Sequence, residues 1–400
     1  MSLFESPQVE NYDRDCLRTI EQGLEVDPGN EDLKALLLEV KEQYDADHLI
    51  NVDAEEKDRF EKLFRWMSKD GAQYDKLKMR YYGPDYRGVH AARDIKKGET
   101  ILYVPKKEII TLEMAIESPI GALMAARNMR NRLLSPKHSF LSCFIMQEKR
   151  KSTSYFKEFI DILPKNFTNF PIFYTVEERQ WLEGSAMQNV ISDKIKDIQT
   201  DYNTICNEVP EFRQFSLKEY SEMRMMVCSR IFGISINGVK TDGFVAYADM
   251  LNHQRPKETQ WSYCDEREGF IIEATDDIKR GQQVYDSYGK KCNTRFLLNY
   301  GFINLNNDAN EFPLVVRLKS DDPLHDAKRQ MLKEDCKTFR VMTDFNEAVM
   351  PKFLSFLRFV EFDGNLNIFH LMQDQWTKKG SDSDDEEGSE LVFRADKVTP

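Results

Sequence analysis

The string Asp94-Ile95-Lys96-Lys97-Gly98-Glu99 returns 183 residues later as Asp277-Ile278-Lys279-Arg280-Gly281-Gln282. Asp, Ile, Lys and Gly recur in place, and a short apolar run follows each copy. In both copies glycine accepts the positive φ of a tight turn. Two similar hairpins so far apart imply a sheet assembled from both ends of the chain between them.

The texture between the echoes agrees with that constraint. From Met79, short β-prone runs (Tyr81-Tyr82, Thr100 to Val104, Ile109 to Leu112) alternate with Gly and Pro breaks. From about 120 to 231 the pattern is helical, with Leu141, Phe144, Ile145 and Glu148 on one face. Ser216-Leu217-Lys218-Glu219 caps a helix reaching Ile231. Strand texture resumes over 234 to 316, with Phe270 to Ala274 and Gln283 to Tyr285 as candidates. The spacing therefore predicts an α+β fold: a β-rich domain over 76–312, split by a helical insertion at about 120–231.

An amino-terminal helical segment, 1–75, is expected from two stripes: Leu33, Leu36, Leu37, Val40 and Tyr44, then Phe60, Leu63, Phe64 and Met67. After Pro313 the chain reads as an all-α domain over 313–400. Asp322-Pro323 starts one helix, and Phe353, Phe356, Leu357 and Val360 stripe another. The run 381–390 is nearly all Ser, Asp, Glu and Gly, and is read as a solvated loop that leaves this domain incomplete.

Composition narrows the function classes. A chain of 400 residues with 41% hydrophobic content buries a large core. Its longest apolar runs are too short to span a bilayer, and Met1 to Ser6 shows no secretory pattern, so a cytoplasmic or nuclear monomer is expected. The seven cysteines are scattered, which favours free thiols, and the six isolated histidines lack zinc-site spacing, so no metal is expected. A net charge of −12 disfavours direct nucleic-acid binding and suits a basic protein partner.

The strings that carry chemistry are Asn252-His253 and Tyr288-Gly289. Each alone reads as an ordinary turn or polar pair. Their order is more specific: Arg87-Gly88, the first echo, the helical insertion, Asn252-His253, the second echo, Tyr288-Gly289 and Tyr300-Gly301-Phe302. That order resembles the SET-domain methyltransferases. The class in question has a split domain and a C-terminal helical substrate-binding domain, typified by Rubisco large-subunit and actin-histidine methyltransferases.

The resemblance implies a β-rich domain with a knot-like site and S-adenosylmethionine as methyl donor. Gly88 and His90 would lie in the first turn around the donor, although His90 stands where the actin-methylating branch has arginine. Pro119, Ile120 and Gly121 would form a second contact and Arg230 a third. Asp249, Met250, Leu251, Asn252 and His253 would hold the donor, and Tyr300, Gly301 and Phe302 would close over its adenine side. Tyr288 would be the catalytic tyrosine, orienting the acceptor's lone pair beside the methyl group. Phe232, Tyr247, Ala248 and Lys291 would line the substrate channel.

Two positions bear on the acceptor. The actin-histidine branch carries Asn where this chain has Phe232, and Trp where it has Ala248. Phenylalanine cannot hydrogen-bond an imidazole, so the expected activity is protein-lysine N-methylation of a basic protein substrate, actin and histone being candidates. Histidine methylation stays open, as does an adaptor that binds through the C-terminal helices.

Overall fold

A computed structural model describes residues 19–24, 26–37, 54–83, 86–342, 350–364 and 391–394. Val40, Tyr44 and the acidic run 381–390 lie outside them. The chain divides into two units, the first running to Gly289 and taking back Phe296–Phe302, the second comprising Lys290–Arg295 and the chain from Ile303.

In the first unit, helix α1 (Ala54–Lys69) buries its predicted stripe, with Leu63 and Met67 inaccessible and Phe60 nearly so. These side chains belong to the same core as the strands, so α1, expected within an N-terminal 1–75 segment, is part of the main unit's core. Strands β1 (Leu77–Gly83) and β2 (Tyr86–Ala91) pair antiparallel, and β3 (Thr100–Pro105) and β4 (Ile109–Thr111) follow.

The insertion begins with α2 (Leu112–Glu117) and α3 (Pro119–Ala126), capped by Thr111 and Ser118. It continues through α4 (Pro136–Arg150) and α5 (Met187–Glu208). It ends with α6 (Leu217–Arg230), whose capping box uses Ser216 and Glu219 as the sequence predicts. Its lower edge lies a few residues earlier than expected.

Chain returning from α6 completes the sheets. Strands β5 (Ile231–Ile236) and β6 (Val239–Val245) join β4 in the order β4-β6-β5. After β7 (Asn252–His253), β8 (Thr259–Cys264) and β9 (Gly269–Ala274) join β3 in the order β3-β9-β8. Both sheets therefore unite strands from before and after the insertion.

The two echoes close directly on one another. Ile95 and Ile278 exchange backbone hydrogen bonds of 2.8 and 2.9 Å. Asp277 accepts from the Lys97 amide (3.0 Å), and Asp94 accepts from the Arg280 amide (2.9 Å). Gly98 and Gly281 take φ of 83° and 89°. Each acid thus caps the other copy's turn, which explains why both copies keep Asp and Gly.

Beyond α7 (Asn293–Tyr300), the second unit corrects the all-helical expectation. Helices α8 (His325–Leu332) and α9 (Met350–Glu361) are present. They accompany a three-stranded sheet of β11 (Glu311–Arg317), β12 (Cys336–Met342) and β13 (Leu391–Arg394). Pro313, read as a boundary, lies within β11 at the sheet edge, where a missing N–H is tolerated. Lys328 is fully buried, paired with Asp322 and donating to the Val360 carbonyl at 2.8 Å.

Among the described residues of the first unit, one buried acid has neither oxygen hydrogen-bonded. Glu108 is inaccessible, both its oxygens lack a hydrogen bond, and burial followed by Asp70 raises its carboxyl from 4.5 to about 8. The neutral acid suits this site, so its contribution to stability is complete below pH 4.5 and lost as pH rises through about 8. Glu108→Gln is therefore expected to hold its melting temperature between pH 6 and 9, checked by thermal melts, while the parent chain's falls.

Candidate active site

The site is built where the chain passes its own earlier segment. Strand β10 (Tyr285–Asp286) runs parallel to β7, with Tyr285 opposite Asn252 and Asp286 opposite His253. The Gln254 amide donates to the Asp286 carbonyl (3.0 Å), and the Tyr288 amide donates to His253 Nδ1 (3.0 Å). An Nδ1 that accepts places a neutral imidazole's proton on Nε2. The Asn252 side-chain amide donates to the Arg87 carbonyl at 3.0 Å, tying β7 to β2. Three segments far apart in sequence are stitched at one point.

Tyr288 stands at the centre of this crossing. Its hydroxyl donates to the Leu251 carbonyl at 2.7 Å. Burial, with smaller contributions from Asp286 and Asp249, raises the phenol well above its ordinary value despite Arg230's opposing field. It therefore remains a protonated donor at neutral pH. Its ring stacks with Tyr300 (5.1 Å) and His253 (5.2 Å) and meets Phe302 edge-on (6.2 Å). Phe296, which the sequence reading missed, fills the gap between His253 (4.7 Å) and Phe302 (5.0 Å). Its signal was the i, i+4 spacing to Tyr300 on α7.

A half-buried charge cluster adjoins the crossing. Arg230, at the end of α6, donates to the carbonyl of Asp249 (2.9 Å) and to its carboxylate (3.0 Å). Burial raises the inaccessible Asp249 carboxyl, while Arg230 and then Arg87 pull it back down. Arg87 bonds Glu56 on α1 (3.1 Å) and the Ile162 carbonyl (3.2 Å), and lies over the Phe60 ring (5.0 Å). Burial, then Arg230, lower its guanidinium below the ordinary arginine value.

The remaining candidate residues are packed into the fold. His90 is inaccessible, with Nδ1 against the Gly281 carbonyl (2.6 Å) and Nε2 against the Tyr82 hydroxyl, so its ring has turned into the fold. Gly88 is enclosed: a Cβ there would stand 2.7 Å from the Tyr82 hydroxyl and 2.8 Å from Gln283 Nε2. Gly121 packs α3 against the preceding helix, since a Cβ would fall 1.9 Å from the Ala115 carbonyl oxygen. Gly121→Ala is accordingly expected to lose about 2 kcal/mol or more in urea unfolding. Pro119 and Ile120 open the same short helix.

Phe232 packs edge-on against Trp261 (5.4 Å) and Phe270 (5.0 Å). Tyr247 is inaccessible, meets Phe64 edge-on (5.1 Å), has φ of 67° and leaves its hydroxyl without a hydrogen bond. Ala248 and Met250 are buried in the turn before Leu251. Gly301 takes φ of 78° beside Asn169. Lys291 falls in the second unit, where its carbonyl accepts from Asn307 (2.8 Å).

Residues 86–289 match the SET domain, a span bounded by β2 and the Tyr288-Gly289 turn. The chain belongs to the SET-domain family. SET-domain relatives include the actin-histidine N-methyltransferases of Callithrix jacchus (25% identical) and Homo sapiens (24%). Each is matched over 295 residues, 71% of this chain and 49% of the relative, so the chain spans about half the length of these proteins. Solved structures with this fold include the SET domain of LSMT bound to lysine and AdoHcy, with a TM-score of 0.66 and 22% identity over 80% of this chain and 75% of that one. Rubisco LSMT bound to AdoMet gives 0.64 and 23% over 79% and 74%.

Among the described residues no group of three or more His, Cys, Asp or Glu side chains is placed to hold a metal. Nor, among them, is any helix long and apolar enough to cross a membrane.

Proposed function

We propose that this chain is an S-adenosylmethionine-dependent protein N-methyltransferase whose acceptor is a lysine side chain. The observation that carries the reading is the Tyr288 hydroxyl, anchored 2.7 Å from the Leu251 carbonyl where β10 threads beside β7. A fixed phenol oxygen amid a half-buried aromatic cluster is a setting suited to aligning a nitrogen lone pair.

The residues present fit the methyl donor. Arg230 is partly exposed and supplies a guanidinium for a carboxylate, while Asp249 Oδ1 is buried without a hydrogen bond and supplies an acceptor. Arg230, Asp249 and the Asn252 backbone would hold the donor, and Tyr300 and Phe302 offer aromatic faces. When bound, S-adenosylmethionine supplies an electrophilic methyl group on a sulfonium. Around it, the chain's part is to exclude water and hold the acceptor in line. Burial also favours the neutral amine over the ammonium, the state with a free lone pair.

Lysine is supported by Phe232 and Ala248, which offer no side-chain hydrogen bond to an imidazole, and by the lysine-bound LSMT structure of like fold. Histidine is the second reading, because the relatives matched at 24–25% identity are actin-histidine methyltransferases. Incubating the protein with tritiated S-adenosylmethionine and a cell extract, then locating the label by mass spectrometry, separates the two. Methyl-lysine is expected; label confined to histidine overturns the lysine reading, and absence of donor binding by calorimetry overturns the enzyme reading.

A further inference from the structure

The methyltransferase reading leaves one chemical demand unmet. A lysine side chain arrives as an ammonium and must lose a proton before its nitrogen can accept a methyl group. Tyr288 cannot take that proton, because its hydroxyl is a protonated donor to the Leu251 carbonyl. His253 Nδ1 already accepts from the Tyr288 amide. The Asp249 carboxylate is held by Arg230 at 3.0 Å.

One buried acid at the crossing is not tied to a cation. Asp286 is 4% exposed, and its Oδ1 accepts from the Ser287 amide at 2.7 Å. Its Oδ2 makes no hydrogen bond with any described residue. Its position gives the direction of its side chain. Partners in parallel strands share a sheet face, so Asp286 lies on the face of His253, whose ring packs on Tyr288, Phe296 and Phe302. Tyr288 follows two residues later, and the Asp286 carboxylate acts on its phenol through space.

We propose that Asp286 is the proton acceptor of the acceptor pocket, a catalytic residue that also selects a cationic side chain over an apolar one. In the step, an N–H bond of the substrate ammonium breaks and an O–H bond forms at Oδ2. The bonding pair stays on nitrogen as the lone pair. A neutral amine and a neutral carboxylic acid result, and the proton passes to solvent between turnovers. No oxidant or metal enters.

The surroundings suit this role. Burial raises the Asp286 carboxyl to about 7, with the Ser287 amide and then Lys257 opposing it. A base matched to neutral pH is the most effective. The titratable and charged groups around it are His253 on the paired strand, Lys257 beyond it, Tyr288 on its own segment, and Arg230 and Asp249, whose fields also reach Tyr288.

The inference rests on the lysine reading of this site, and the experiment keeps the two apart. Calorimetry on protein loaded with S-adenosylhomocysteine compares Nα-acetyl-lysinamide with the neutral Nα-acetyl-norleucinamide. Wild type is expected to prefer the lysine probe about tenfold at pH 8, and Asp286→Asn to remove that preference. Methyl transfer to the extract proteins by wild type should rise through an acidic limb near pH 7. That limb should vanish in Asp286→Asn and shift in Asp286→Glu.

A preference and a limb that persist in Asp286→Asn overturn the proposal. So does a wild-type profile that is flat between about pH 6 and 8, an outcome readable whether or not the variants fold. Label found only on histidine by mass spectrometry removes the lysine reading. Methyl-lysine from an Asp286→Asn protein with unchanged limb removes Asp286 alone.

Discussion

Replacing Tyr288 by phenylalanine is expected to lower turnover about a hundredfold while S-adenosylmethionine affinity stays within about threefold, the loss typical of removing one preorganised hydrogen-bonding group. The phenylalanine ring keeps the stacking on Tyr300 and His253, so the aromatic cluster survives. What disappears is the oxygen held 2.7 Å from the Leu251 carbonyl, which would align the acceptor in the proposed reaction. Stability should change by only about 1 kcal/mol, because one hydrogen bond is lost and no cavity larger than a hydroxyl opens. Steady-state kinetics and calorimetric titration of the donor check the two halves separately. A variant that loses donor affinity as steeply as turnover shows that Tyr288 belongs to the donor site instead.

Arg230→Ala is expected to cost the fold about 3–5 kcal/mol, because it strands a buried carboxylate. Asp249 has no side-chain exposure, and Arg230 is the cation in contact with it. Without that partner the carboxyl must take up a proton or unfold the turn from Ala248 to Met250. Adding Asp249→Asn to the same chain should recover a large part of the loss, since a neutral amide tolerates burial better than an unpaired charge. Urea unfolding of the two single variants and the double variant gives the coupling directly. Additive losses would show that the pair is not a unit.

Much of the fold was legible because it rests on local rules. The Ser216/Glu219 box, the α1 stripe and the β9 run were each read from a few adjacent residues. The same holds for the two glycine turns. In the second unit's sheet, β11 fell within the strand texture read to 316, while β12 and β13 were missed for the opposite reason. Its strands β11, β12 and β13 pair across long separations, and Pro313 imitates a boundary while sitting on an edge strand.

The candidate site was read unevenly. Tyr288, Asn252, His253, Tyr300, Phe302, Arg230 and Asp249 do meet in the first unit, through the contacts described above. His90 and Gly121, placed at the donor by resemblance, are both packed inside the fold. Neither direction nor enclosure of a side chain is written in its neighbours along the chain. Asp286 escaped notice because an acid in a short polar string looks solvated until the fold buries it.

By itself the sequence determined the turn-forming strings, the helix caps, the split of a β-rich domain by helices, and the ordered motif set. All of these follow from residue type and short spacing. Only the tertiary structure decided that each echo's aspartate caps the other's turn, that Asn252 ties Arg87 to the crossing, and that Tyr288 is anchored on Leu251. Those bonds join residues tens to nearly two hundred positions apart, and their partners are chosen by which surfaces are buried together.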